Sequence, residues 1–298
     1  MNISKLGEFA LIERLRRKIK LDRSVVKGTG DDCAVISYTK NSFALFSCDM
    51  IIEGIDFTRK DSFELIGRKA LAISLSDIAA CGGVARYAVV SLGLPKNINL
   101  KVFDNIIKGL NSLAQEYKVN IVGGDMSASE KIVLNTSVIG FVDKKFLVLR
   151  SGAKPKDIIF VSGPLGGSNR GKHLRFSPRL KEARYLVTKY KINAMIDISD
   201  GLLQDLGHIL KASNTGAVIY GDLIPFTKDA RNLDDALYTG EDFELLFSAS
   251  LPQARKIIHD KRFRFIPIGE VADKRCGVKL FDQKGRQLSI KRPGFRHF

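Results

Sequence analysis

The stretch MIDISDGLLQDLGHI, Met195–Ile209, sets three aspartates, Asp197, Asp200 and Asp205, among residues that otherwise read as core. Aspartate is seldom buried without a partner. The apolar run before DISDG reads as a strand and the run LLQDLGHILKAS after it as a helix. An acidic turn between a buried strand and a helix is thus the first fixed point of the chain.

Working outward, the same kind of turn recurs. GTGDD (Gly28–Asp32), SCD (Ser47–Asp49) and GGD (Gly123–Asp125) each join small residues to aspartate beside an apolar run. Asp77 lies inside FELIGRKALAISLSDIAACGG, a long helix closed by Gly82 and Gly83. It continues the stripe Ile66, Ala70, Ile73 at steps of four, three and four, so it should point inward. EFALIERLRRKI and VFDNIIKGLNSLAQEY read as helices. SFALFSCDMII, YAVVSLGLP, VNIVGGD and VLNTSVIGFV read as strands, the first and third ending at their aspartates.

Gly, Pro and Lys cluster in LRSGAKPKD, residues 149–157, before a new strand, IIFVSG. A boundary there divides the chain into residues 1–148 and 149–298. The second part again mixes strands (AMIDIS, AVIYGDLIP, FELLFSAS, RFIPIGEV) with helices (LLQDLGHILKAS, LPQARKIIHD). The expected architecture is a two-domain mixed α/β (α+β) protein.

Composition narrows the class. With 298 residues, 45% hydrophobic and 27% charged, the chain reads as a soluble globular protein. No apolar run reaches the ~18 residues of a membrane span, and the N-terminus has no signal-peptide core. Four cysteines without a CxxC fit a reducing, cytoplasmic setting. The net charge of +16 includes two basic stretches, Met1–Lys27 and Ser168–Lys191. Neither has a nucleic-acid recognition motif or interleaved aromatics, so no specific nucleic-acid partner is expected. A broad genomic lysine bias, or attraction of a polyanionic small substrate, explains the balance as well.

If the acids converge, their mutual repulsion has to be relieved. Two carboxylates about 4 Å apart repel by about 1 kcal/mol in water and about 4 kcal/mol at an effective dielectric near 20. Either some hold protons or a hard cation neutralises them. Oxygen ligands without a His or Cys pair point to Mg²⁺. Glycine turns let backbone N–H groups approach a phosphate. Together these features indicate nucleotide polyphosphate chemistry. Taken singly, each aspartate also serves as a turn or cap residue, and Asp200 is placed to cap the helix after DISDG.

GGSNRGKH (Gly166–His173) contains G-x-x-x-x-G-K, but His173 stands where a P-loop needs Ser or Thr. Pro178 also stops any helix within two turns. In YTGEDFELLF (Tyr238–Phe247), Glu241 and Asp242 read as turn residues and Glu244 as an exposed strand position. His208 reads as structural, and there is no sign of a Ser-His-Asp arrangement.

GDDCAVI, CDMIIEGIDF, RKALAISLSDIAACGG, VGGD, RSGAKPKD, VSGPLG, IDISDGLLQDLGHI and GEDFELLF occur in the order seen in the thiamine-monophosphate kinase family. The resemblance spans nearly the whole chain. That family belongs to the superfamily of aminoimidazole ribonucleotide synthetase and selenophosphate synthetase. The resemblance implies ATP- and Mg²⁺-dependent phosphorylation of thiamine monophosphate to thiamine diphosphate. It also implies a homodimer whose N-terminal domains form a shared β-barrel and carry the ATP and metal sites. On the matching positions, Asp32, Asp49, Asp77, Asp125, Asp197 and Asp200 correspond to metal-binding carboxylates, and Ser47 and Cys48 to hydroxyl positions beside them. Gly124, Arg150 and Ser199 correspond to nucleotide contacts and Glu241 to a substrate-side acid; Asp31 and Asp205 also fit the motifs. Asp77, Asp125 and Asp200 are the catalytic candidates.

The departures fall mostly on the substrate side. Asp56 replaces a usual histidine at a substrate contact. Arg292 stands where an aromatic often covers the substrate, with Phe295 as a partial substitute. Cys48 replaces a usual threonine, GGDMSAS lacks the usual threonines and arginine, and the segment between GPLGGS and KHLRFSPRL is shortened. The rival readings are a superfamily relative acting on another small substrate, a degenerate inactive homologue, and a nucleic-acid-binding protein.

Overall fold

Two open sheets divide the chain. The structure, a computed structural model, describes residues 7–290. The first sheet holds β1 (Val25–Lys27), β2 (Ala34–Ser37), β3 (Ser42–Ile52), β4 (Val84–Leu94), β5 (Asn120–Ala128) and β6 (Val133–Asp143). Their order is β1-β2-β3-β6-β4-β5, antiparallel except for the β4–β5 edge pair. With it go α1 (Glu8–Arg16), α2 (Phe63–Ala80) and α3 (Leu100–Tyr117).

The second sheet holds β7 (Ile158–Val161), β8 (Ala194–Asp197), β9 (Gly216–Tyr220), β10 (Leu245–Ala249), β11 (Ile266–Ala272), β12 (Val278–Phe281) and β13 (Gln287–Leu288). Its order is β13-β12-β9-β11-β7-β10-β8, and only β9–β12 is parallel. Its helices are α4 (Lys172–Arg175), α5 (Leu180–Lys189), α6 (Leu202–Ser213), α7 (Leu233–Tyr238) and α8 (Leu251–His259). The expected P-loop failure is visible: α4 stops after four residues, before Pro178.

Strand periodicity explains which face of the first sheet is buried. Along β3, Leu45, Ser47 and Ile51 turn inward while Phe46, Cys48 and Met50 turn out. α2 covers the inner face, packing on β3 and β6, and also reaches β8, α4 and α5. It is therefore buried nearly all round, unlike α3, which buries a single stripe of Ile106, Leu110, Leu113 and Ala114. The α2–α3 crossing is backbone-tight. A methyl on Gly67 would sit 2.0 Å from the Ile106 carbonyl oxygen, and one on Gly109 would sit 1.8 Å from that of Glu64. Only glycine allows the two helices to approach so closely.

Two expectations about strand ends are corrected. β3 does not end at Asp49 but runs on to Ile52, because Met50 and Ile51 keep the alternation and pair with β6. GGD is likewise not a turn: β5 passes straight through it, with Asp125 opposite Ser91 of β4. The glycines serve the sheet there. A methyl on Gly124 would lie 1.7 Å from the Val90 carbonyl oxygen, beside the register shift at Ala88 and Val89.

Candidate active site at the junction of the two sheets

α2 brings the acids together because it touches both sheets. Its Asp77 lies on the inward stripe, as the spacing requires. Asp32 arrives from the loop before β2, and Asp197 from the last position of β8. These three each offer a carboxylate oxygen within 4.8 Å of the others. Asp49 on β3 joins them through serine: Ser47 Oγ lies 2.5 Å from Asp77 Oδ2 and 3.2 Å from Asp49 Oδ2. Ser74 donates to Asp49 at 2.7 Å and Ser76 to Asp197 at 2.5 Å.

Hydroxyls orient carboxylates but bring no charge, and the electrostatics show the deficit. Burial, then the neighbours Asp49, Asp197 and Asp32, push the Asp77 carboxyl well above its usual range. Burial and Asp32 push Asp197 up to about 8. Burial also raises Asp49, and burial with Asp32 raises Asp31. Arg150 donates from Nη2 to Asp32 Oδ1 at 2.8 Å, and Lys27 pairs with Asp31 at 3.4 Å. Burial opposes the guanidinium's charge, but Asp32 and Asp31 outweigh it and hold it on. The other carboxylate oxygen, Asp32 Oδ2, is buried with no hydrogen-bond partner among the described residues. An orphaned buried carboxylate oxygen within a set of oxygen donors fits a hard divalent cation.

Asp200 and Asp205 take a different part. Asp205 accepts the N–H groups of Asp200 and Gly201 at 3.0 and 3.1 Å, so it, rather than Asp200, ties down the turn entering α6. Asp200 accepts from Gln204 at 2.7 Å and lines a cleft. His208 lies with these two acids, and burial, with Arg150 and Lys211 nearby, lowers it to about 4, keeping it neutral.

The cleft, about 380 Å³, opens beside Asp49 and brings Asp56, Lys69, Ser199, Asp200 and Glu241 to one place. Its far wall is the GEDF loop, in which Gly240, Glu241 and Phe243 all have positive φ, of 73°, 54° and 50°. Such backbone is costly outside glycine and persists only where surroundings enforce it. Here Glu241 N–H donates to the Ser199 carbonyl at 2.7 Å and Phe243 N–H to that of Ile198 at 2.8 Å.

Two acids, one in this loop and one beside it, correct the sequence reading. Glu244 is not exposed but 1% accessible. Arg179 grips it with two bonds of 2.7 and 2.6 Å, and Ser162 adds one of 2.7 Å. Asp242 is fully buried and accepts from Gly166 N–H at 3.0 Å, from Ser168, and from Lys172 at 3.3 Å. All of those partners but Ser162 come from residues 166–180, the stretches that flank the shortening. Sequence reasoning missed them because the pairing spans 65 to 76 positions. It also missed Lys69, which the spacing from Ile66 places on the same stripe as Asp77.

Other expected residues are not brought to the cluster within the chain. Cys48 sits on the opposite face of β3 from Ser47 and Asp49, where its sulfur accepts from Ser137 at 3.2 Å and Asn135 at 3.3 Å. Asp125 and Gly124 line a separate groove of about 560 Å³ between α3 and the β4–β5 edge. Asp56 accepts the Ile52 N–H at 2.7 Å, a turn-forming bond, and also lines the cleft. Arg292 and Phe295 lie outside the described residues.

An acid cluster between two α/β sheets defines a class, and similarity to known proteins identifies it. The family described as AIR synthase related protein, N-terminal domain, matches residues 30–142, and its C-terminal counterpart matches residues 140–280. The thiamine-monophosphate kinase of Buchnera aphidicola (subsp. Schizaphis graminum) is 33% identical, over 98% of this chain and 99% of its own. That of Bacillus subtilis is 31% identical over 98% and 100%. AaThiL complexed with AMPPCP and TMP superposes with a TM-score of 0.87 at 28% identity, covering 100% of this chain and 99% of that one. The chain belongs to the thiamine-monophosphate kinases of the AIR synthase related family.

Proposed function

We propose that the chain transfers the γ-phosphoryl group of ATP to the phosphate of thiamine monophosphate, giving thiamine diphosphate and ADP. The observation that carries this reading is the charge deficit at the junction: Asp32, Asp77 and Asp197 converge, with one orphaned oxygen, next to a cleft of ligand size. The near-full-length similarity to thiamine-monophosphate kinases supplies the acceptor.

Asp32, Asp49, Asp77 and Asp197 would hold Mg²⁺, with Asp200 at the cleft edge; Asp125 lines the separate groove beside β5 and is not brought to them within this chain. Bound at the junction, Mg²⁺ supplies charge neutralisation for the phosphates. The chain's own residues do the rest. Ser47, Ser74 and Ser76 aim the carboxylates, and Arg150 fixes Asp32 and, with Ser199 on the cleft wall, would meet the nucleotide, while Gly124 stays in its separate groove. An acceptor phosphate oxygen attacks the γ-phosphorus, the bond to the β–γ bridging oxygen breaks, and ADP leaves. The transfer is direct in this scheme, without a phosphoenzyme, because phosphoryl transfer needs positioning and charge more than a protein nucleophile.

A homodimer sharing a barrel between its N-terminal sheets goes with this reading. Phe46, Met50, Tyr87 and Val89 on the outer face, and Val122 and Met126 on the β5 edge, are exposed apolar groups that such a partner would cover. The N-terminal unit, residues 1–148, would then supply dimerisation and the ATP and Mg²⁺ sites, and residues 149–298 the C-terminal wall. Four free cysteines suit a cytoplasmic setting. No helix among the described residues is long and apolar enough to cross a membrane. The test is turnover of ATP with thiamine monophosphate and Mg²⁺, following both products. Equal formation of ADP and thiamine diphosphate supports the kinase. ADP without thiamine diphosphate redirects it to another acceptor, and neither product from folded protein indicates an inactive homologue.

A further inference from the structure

We propose that Lys69 is the group that recognises the acceptor's phosphate; this rests on the kinase reading above and names the recognition element of its cleft. Lys69 belongs to α2 and is 1% accessible, among the largest fully buried side chains of the protein. Burying an ammonium costs several kcal/mol by general estimates unless its hydrogen bonds are met. Its Nζ donates to the Asp56 carbonyl at 3.1 Å and pairs with Glu241. An ammonium has three donors. Two are taken by these partners, and no third partner is present among the described residues, on a side chain that contributes to the cleft wall.

The cleft makes that donor important. Asp49, Asp56, Asp200 and Glu241 line it, and Lys69 is the one cation among its described lining residues. An acceptor whose reactive group is a phosphate must enter against those carboxylates. A fixed ammonium at the wall offsets that repulsion and marks the place of the phosphate.

A purely structural role explains less. Were Lys69 present only to hold Glu241, the loop would depend on it. Yet backbone bonds from Glu241 and Phe243 to the Ser199 and Ile198 carbonyls hold the loop, and the Glu241 side chain is one-third exposed at 33%. A partly hydrated acid does not require a fully buried lysine. Asp56 acquires a role as well: its side chain closes a turn on Ile52 N–H, and that turn aims its carbonyl at Lys69.

The experiment compares equilibrium binding of thiamine monophosphate and of thiamine, which lacks the phosphate, to the wild type, Lys69→Met and Lys69→Arg. Lys69→Met is expected to lose about 10- to 100-fold in affinity for thiamine monophosphate, the worth of a charged hydrogen bond. Its affinity for thiamine should stay within about twofold, and Lys69→Arg should recover most of the discrimination. Equal losses for both ligands, or no loss, overturn the assignment, since a lysine that only orders Glu241 treats the two alike. Should Lys69→Met fail to fold, Lys69→Gln carries the same comparison. A wild type that makes no thiamine diphosphate sinks the kinase reading. A working wild type whose Lys69→Met variant still discriminates sinks this assignment alone.

Discussion

The junction cluster and the acids behind the GEDF loop are both buried, yet they are held in opposite ways. Asp242 and Glu244 meet Lys172, Arg179, two serines and a backbone N–H from elsewhere in the chain. Asp49, Asp77 and Asp197 meet serine hydroxyls and one another. The first set is compensated within the chain and packs in and beside a strained loop that backbone bonds already fix. The second is undercompensated: burial and the repulsion of neighbouring acids together drive Asp77 and Asp197 upward, whereas the upward push of burial on Asp242 is opposed by Lys172, Ser168 and the Gly166 N–H. Burial of acid alone therefore does not mark the active centre; burial of acid without cation does.

The largest effect should follow from Asp77→Asn. The change keeps the shape of α2 but removes a ligand, and kcat/KM for thiamine diphosphate formation should fall about 10³-fold, or about 4 kcal/mol in the barrier. The metal-free melting temperature should hold or rise, because a repelled carboxyl is gone. A large drop in melting temperature with activity retained would erase the contrast between the two regions.

Arg179→Met strikes the compensated set. It strands Glu244 in the interior, and denaturant unfolding should register a loss of about 3 kcal/mol, at the low end for a broken buried pair because Arg179 is partly exposed. Glu244→Gln in the same background should restore part of it. Stability unchanged by Arg179→Met would mean that Glu244 is compensated by other groups. The smallest effect belongs to Cys48→Thr. With its side chain on the far face of β3, this change should alter kcat/KM by no more than about twofold, which corresponds to about 0.5 kcal/mol. A larger change would bring Cys48 back to the metal cluster.

Local pattern carried much of the fold. The helical stripe that points Asp77 inward, the strand–turn–helix unit at DISDG and the failed P-loop all depend on neighbours within a few residues, and they are observed. The motif order was enough to name the family before any geometry. What escaped is long-range or a matter of face. Cys48 and Ser47 are adjacent in sequence, and strand alternation sends them to opposite sides. GGD resembles a turn, but β4 needs glycine beside it in a continuous strand. Glu244 is an ordinary strand residue until Arg179 and Lys172 fold against it. Lys69 is the exception: the period that exposed Asp77 also placed Lys69, and a lysine on an apolar stripe is as informative as an aspartate.

The central claim is that the junction carboxylates bind a divalent cation, and linkage between protons and stability tests it. Asp197 titrates near 8 in the folded protein against an ordinary value of 3.8. Between those values the folded state binds more protons than the unfolded chain, so this group's contribution to stability falls as pH rises. Mg²⁺ binds the deprotonated form and offsets that loss. Thermal unfolding with and without Mg²⁺, at pH 6 and pH 8, should show a larger Mg²⁺ gain at pH 8, and Asp77→Asn should shrink it. A gain that is equal at both pH values, or untouched by Asp77→Asn, would contradict the assignment of the cation to this cluster.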